Sequence, residues 1–90
     1  MASNCLFCKI VEGEIPAMLV AETPDAIAFK DINPQAPVHV LIVPRVHVDS
    51  LASAKDEAML GHLLAFAAQV AEREGIADSG YRTVINTGAN

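Results

Sequence analysis

Hydrophobic positions fall into short runs of strand period in the first half of the chain and into one long run of helical period in the second. Residues 5–12 (CLFCKIVE) predict a short helix that Ser3 or Asn4 can cap, with Gly13 as its stop and Ile15-Pro16 turning the chain outward. Residues 18–22 and 26–31 predict two strands around the turn Thr23-Pro24-Asp25, a hairpin in which Ile27, Phe29 and Asp31 share one face. Ala26, Ala28 and Lys30 share the other. The loop that follows is stiffened by Pro34 and Pro37, because each forces extended geometry on the residue before it, and it places Asp31 reproducibly. Residues 38–43 predict a third strand, apolar on both faces apart from His39, which suggests a central strand covered on each side. Pro44 is expected to end its ladder pairing.

Ser53 followed by Asp56 resembles a capping box, and strong helix formers run from there to Glu74, with Gly75 as the stop. Met59, Leu63, Phe66 and Val70 make one apolar stripe, with Leu60, Leu64, Ala67 and Ala71 beside it. That arc is wider than one sheet face requires, so the helix is expected to pack on its own sheet and against a partner subunit. Residues 81–86 (YRTVIN) predict a fourth strand, and Thr87-Gly88-Ala89-Asn90 a loop. The order is helix, three strands, helix, strand, an α+β arrangement without repeat or linker.

Ninety residues with 52% hydrophobic content suit one small domain with a core of its own. At this size burial and chain ordering nearly cancel, so a metal or a partner subunit is expected to contribute. The formal charge of −5, with no Lys/Arg cluster, argues against binding long nucleic acid. No apolar run approaches the roughly 20 residues that span a bilayer, and the N-terminus lacks signal-peptide character. A cytoplasmic protein with no membrane association is expected.

Cys5 and Cys8 form a C-x-x-C pair, which without a secretion signal favours metal or redox chemistry over a structural disulfide. No strand precedes Cys5, as a thioredoxin-like redox pair would require, so metal is preferred. Two thiolates on one helical turn make a half-site for zinc, and His47, just past a strand end, is the best third ligand. The alternative is two small apolar cysteines buried on an amphipathic helix. His39 and His62 read as structural. Asp31, beside Ile27 and Phe29, could accept hydrogen bonds from two vicinal hydroxyls while its apolar neighbours contact a base; the alternative is an Asx turn into Asn33-Pro34. The common phosphate-loop, dinucleotide and hydrolase-elbow motifs are absent, and residues 87–90 could begin a phosphate-cradling loop.

Taken together, CLFCKIVEGEIP, IAFKDINPQAPVHVLIVPRVH, LGHLLAFAAQVA and YRTVINTG resemble the histidine-triad (HIT) family, in particular its Hint-like purine-nucleotide hydrolases. The resemblance covers nearly the whole chain, with the motifs in the family's order. It implies an antiparallel sheet, a short N-terminal helix and one long helix, in a homodimer whose long helix and fourth strand meet across the interface. It further implies that Leu6, Phe7, Ile10, Phe29 and Ile32 line a purine pocket, that Asp31 binds the ribose hydroxyls and that Asn86 lies near the phosphate. Lys30 replaces a histidine common in the family, which bears on base selectivity. Cys5, Cys8 and His47 match three of the four zinc ligands of bacterial-type members, and the fourth has no counterpart here.

The family's nucleophile lies in a His-x-His-x-His strand after a glycine-rich loop, and the sequence contains no such motif. That strand separates the third and fourth strands in the family's sheet, so its loss is expected to leave unpaired edges. Three readings follow. In the first, residues 1–90 are a single, C-terminally incomplete HIT-like domain, inactive itself. The intact form would hydrolyse or transfer nucleotides from phosphoramidates, acyl-adenylates or dinucleoside polyphosphates through a nucleotidyl-histidine. The others are a non-catalytic nucleoside- or partner-binding module and a zinc-binding structural module.

Overall fold

A thiol caps the first helix. In the computed structural model, which describes residues 5–48 and 50–86, Cys5 is the N-cap of α1 (Leu6–Val11), and its Sγ accepts the Cys8 N–H at 3.5 Å. The cap expected at Ser3 or Asn4 lies outside the described residues, and the helix begins one residue later than its sequence predicts. Gly13 follows with φ +82°, the left-handed conformation that suits glycine after a helix end.

The chain divides into two compact units, Met1–His47 and Val48–Asn90. The first holds α1 and an antiparallel sheet of β1 (Leu19–Glu22), β2 (Ala26–Lys30) and β3 (Val40–Pro44), in the order β1-β2-β3. Thr23 makes the first turn: its Oγ1 accepts the N–H groups of Asp25 and Ala26 at 3.2 and 3.0 Å. Arg45 braces the hairpin, its Nε donating to the Thr23 carbonyl at 2.9 Å and its Nη2 to Glu22 Oε1 at 3.0 Å.

The central strand is β2, where the sequence suggests the third. Residues 26–29 are buried on both faces, whereas every residue of β3 is half-buried. The reason is topological: β2 pairs along both edges, and β3 pairs along one among the described residues. Pro44 does not end the pairing. It lies opposite Ala26, and the next residue continues the association, with the Arg45 N–H donating to the Asp25 carbonyl at 2.9 Å. At the other end the backbone N–H of Asp31 donates to the carbonyl of His39 at 3.1 Å, extending the ladder past Lys30.

In the second unit a 3-10 turn (Leu51–Ser53) precedes α2 (Glu57–Arg73). Ser53 belongs to that turn, so the capping box expected with Asp56 is not made. Asp56 alone caps α2, its carboxylate accepting the Met59 N–H at 3.1 Å. Phe66, Val70 and Ala71 are the buried residues of the helix. His62 stacks with Phe66, ring centroids 6.4 Å apart. Gly75 closes the helix at φ +76°. No described helix is long and apolar enough to cross a membrane.

The expected fourth strand is not formed. Residues 81–86 are exposed throughout and have no ladder partner among the described residues. The tail at residues 87–90, including the expected phosphate loop, lies outside the described residues.

Candidate functional site

Two groups of polar side chains sit at opposite ends of β3. At its start, the register that pairs Lys30 with Val40 brings Asp31 and His39 opposite each other. Oδ2 of Asp31 lies 3.3 Å from Nε2 of His39, and Oδ1 accepts the Asn33 N–H at 2.9 Å. The Asx turn expected as the alternative is made through Oδ1, and the carboxylate stays partly open to solvent. Gln35, in the proline-bounded loop, donates its backbone N–H to His39 Nδ1 at 2.9 Å. His39 is thus more than a strand residue, and the sequence reading gave it no part in this site.

The residues expected to line a purine pocket are only partly gathered. Phe7 of α1 and Phe29 of β2 are in ring contact, centroids 6.4 Å apart and planes tilted by 41°. Phe29 is 3% exposed, so it supports Phe7 more than it faces solvent. Leu6, Phe7 and Ile32 are exposed, Ile32 at 92%, and Ile10 is half-buried. Lys30 is exposed at the end of β2. Asn86 lies exposed in the second unit, in the segment that forms no strand.

At the far end of β3, Cys5, Cys8 and His47 converge. One donor atom from each lies within 4.8 Å of the others, and Cys8 Sγ is 3.2 Å from His47 Nδ1. This is the only such group of three among the described residues. Both cysteines are free and half-buried. The Cys8 backbone N–H bond holds the Cys5 thiol below the usual thiol range, with further contributions from the side chains of Cys8 and His47. Burial, and then the Cys5 sulfur, push the Cys8 thiol up. The cap explains the asymmetry: the N–H that satisfies the helix start points at one sulfur only. Two soft sulfurs and an imidazole at this separation fit zinc, whose bonds to sulfur and nitrogen are about 2.3 and 2.0–2.1 Å.

The HIT domain family model matches residues 12–90. The chain belongs to the HIT family. This HIT chain is 44% identical over 89 residues to the purine nucleoside phosphoramidase of Escherichia coli (strain K12), covering 97% of this chain and 75% of that protein. It is 48% identical over 90 residues to the 14 kDa zinc-binding protein of Zea mays, covering 96% and 70% respectively. The crystal structure of a HIT family hydrolase from Legionella pneumophila Philadelphia 1 superposes with a TM-score of 0.91 at 44% identity, over 96% of this chain and 79% of that one. The HIT fold is thus shown as well as the family.

Proposed function

We propose that this HIT chain binds the nucleoside part of a purine nucleotide. The observation that carries the reading is Asp31, a half-buried carboxylate hydrogen-bonded at Oδ1, with the His39 ring 3.3 Å from Oδ2 and still partly open, next to the exposed Ile32 and on the unit that carries the exposed Phe7. An ionised carboxylate has roughly four acceptor sites, so one on each oxygen remains for two adjacent hydroxyls. Apolar side chains supply contact with a base, and the few polar groups fix its orientation. The name of the E. coli relative supports a purine nucleoside as the ligand.

The reaction that fits this ligand is attack of a histidine nitrogen on the α-phosphorus of a phosphoramidate, acyl-adenylate or dinucleoside polyphosphate. The bond from phosphorus to the leaving group breaks, and water later cleaves the nucleotidyl-histidine. None of this chain's three histidines suits the attack. His39 is engaged with Asp31 and Gln35, His47 with Cys8, and His62 is stacked on Phe66 in the second unit. Calorimetric titration with AMP should give a saturable signal, and adenosine phosphoramidate should not turn over. Absence of binding heat would remove the nucleoside reading, and turnover would remove the claim that the chain is inactive.

A second reading concerns zinc at Cys5, Cys8 and His47, supported by their convergence and by the name of the maize relative. Its role here is structural: a helix of six residues is too short to persist unaided, and the metal would tie it to the end of β3. We also propose a homodimer. Leu64 on α2 is 53% exposed, and Tyr81, Val84 and Ile85 expose apolar side chains in the same unit, more than a solitary small domain usually leaves to water. Sedimentation velocity at high micromolar concentration should give about 19 kDa, twice the 9.5 kDa of one chain; a single species at the chain mass would exclude the dimer.

A further inference from the structure

The contacts around His39 fix more than its place in the sheet. A backbone N–H can only donate, so the Gln35 N–H at 2.9 Å requires His39 Nδ1 to be the accepting nitrogen. In the neutral ring the proton then sits on Nε2, which lies 3.3 Å from Asp31 Oδ2. The Asn33 N–H holds the other oxygen at 2.9 Å. An aspartate carboxylate turns about a broad torsion, so a single bond at Oδ1 leaves Oδ2 free to swing. The His39 ring against Oδ2 is the group placed to limit that rotation. Asp31, Gln35 and His39 recur at four-residue intervals, and the loop between Pro34 and Pro37 carries the middle member.

Resting on the reading of Asp31 as the ribose acceptor, we propose that His39 is a positioning residue. Its Nε2–H pins the Asp31 carboxylate in the plane that meets two vicinal hydroxyls, while the Gln35 N–H locks the ring in the donating tautomer. His39 itself touches no ligand. Its contribution is selectivity for a cis-diol sugar over a sugar that lacks one, because a carboxylate held at both oxygens presents its remaining acceptors at a fixed spacing.

The test compares AMP with 2′,3′-dideoxy-AMP, by calorimetry, on the wild type, His39→Phe and His39→Gln. Phenylalanine keeps a planar ring without a donor, and glutamine can present an N–H near the Nε2 position. The wild type should prefer AMP, and His39→Phe should lower AMP affinity about fivefold to tenfold with dideoxy-AMP affinity unchanged. His39→Gln should recover most of the preference, which a purely structural role would not require. Equal wild-type affinity for the two ligands would overturn the ribose reading of Asp31 and this inference with it. A wild-type preference that survives unchanged in His39→Phe would overturn the inference alone. Nitrogen-15 imidazole shifts of the wild type provide a check that depends on no variant folding: Nδ1 must be the unprotonated nitrogen, and a proton on Nδ1 would also overturn the proposal.

Discussion

Protein purified without chelator should carry about one equivalent of zinc per chain by elemental analysis, and Cys8→Ser should carry none. Cys8 is the ligand whose loss should be felt most, since its sulfur lies 3.2 Å from His47 Nδ1 and its backbone N–H holds Cys5. Removing groups that only orient a metal ligand already costs about 10- to 100-fold in affinity, so loss of a ligand itself should exceed about 100-fold. Serine is similar in size but a poor donor for a soft site. The pH dependence has a definite sign. Metal displaces the thiol protons, so apparent affinity should fall as pH drops, and the Cys8 thiol, pushed up by burial, should resist deprotonation longer than Cys5. His62→Ala, remote in sequence and in the other unit, should retain the metal. Stoichiometric zinc in Cys8→Ser, or none in the wild type, would contradict the assignment.

Asp31→Ala should weaken AMP binding by on the order of 10- to 100-fold, the loss of charge-assisted hydrogen bonds worth about 1.5–3 kcal/mol in all. Part of that loss comes from inside the protein, because the N–H of Asn33 and Nε2 of His39 lose their acceptor. Asp31→Asn should do little better despite its equal size. An amide offers one accepting and one donating end, whereas the site presents the Asn33 N–H to one oxygen and, on the reading above, the His39 Nε2–H to the other. Whichever way the amide turns, an NH2 faces an N–H, and His39 cannot change tautomer while Gln35 donates to Nδ1. Binding of AMP by Asp31→Asn at wild-type affinity would sink this account.

The sequence made the metal group and the order of elements legible, and for the same reason: both depend on short-range signals. The C-x-x-C spacing fits one helical turn and His47 follows directly from the end of β3, so each half of the group is marked locally, although bringing the halves together takes a contact between distant positions. The Asp31–His39 pair was hidden because it depends on register. The predicted strands carry no register of their own, and it is the observed pairing of Lys30 with Val40 that sets His39 opposite Asp31. In a sheet a shift of one residue exchanges the faces, so no reading of apolar pattern alone could have put that imidazole beside that carboxylate. The apolar run of β3 misled in a related way, since it looks central by composition while β2 holds that place by pairing. The strand read at residues 81–86 failed for the opposite reason: its pattern is right for a strand, but a strand exists only with a neighbour.

The contact between Cys8 and His47 joins positions 39 apart, whereas the two hairpins of the sheet close over residues 23–25 and residues 31–39. Contacts close in sequence form sooner, and a long loop is closed against a larger entropy, though each doubling of length adds only about 0.6 kcal/mol. Viewed along the time axis of folding, the first unit is expected to assemble from its middle outward, with the strands zipping first and α1 docking once His47 is in place. Zinc would then act as the final clasp on a finished sheet and not as the seed around which the chain gathers.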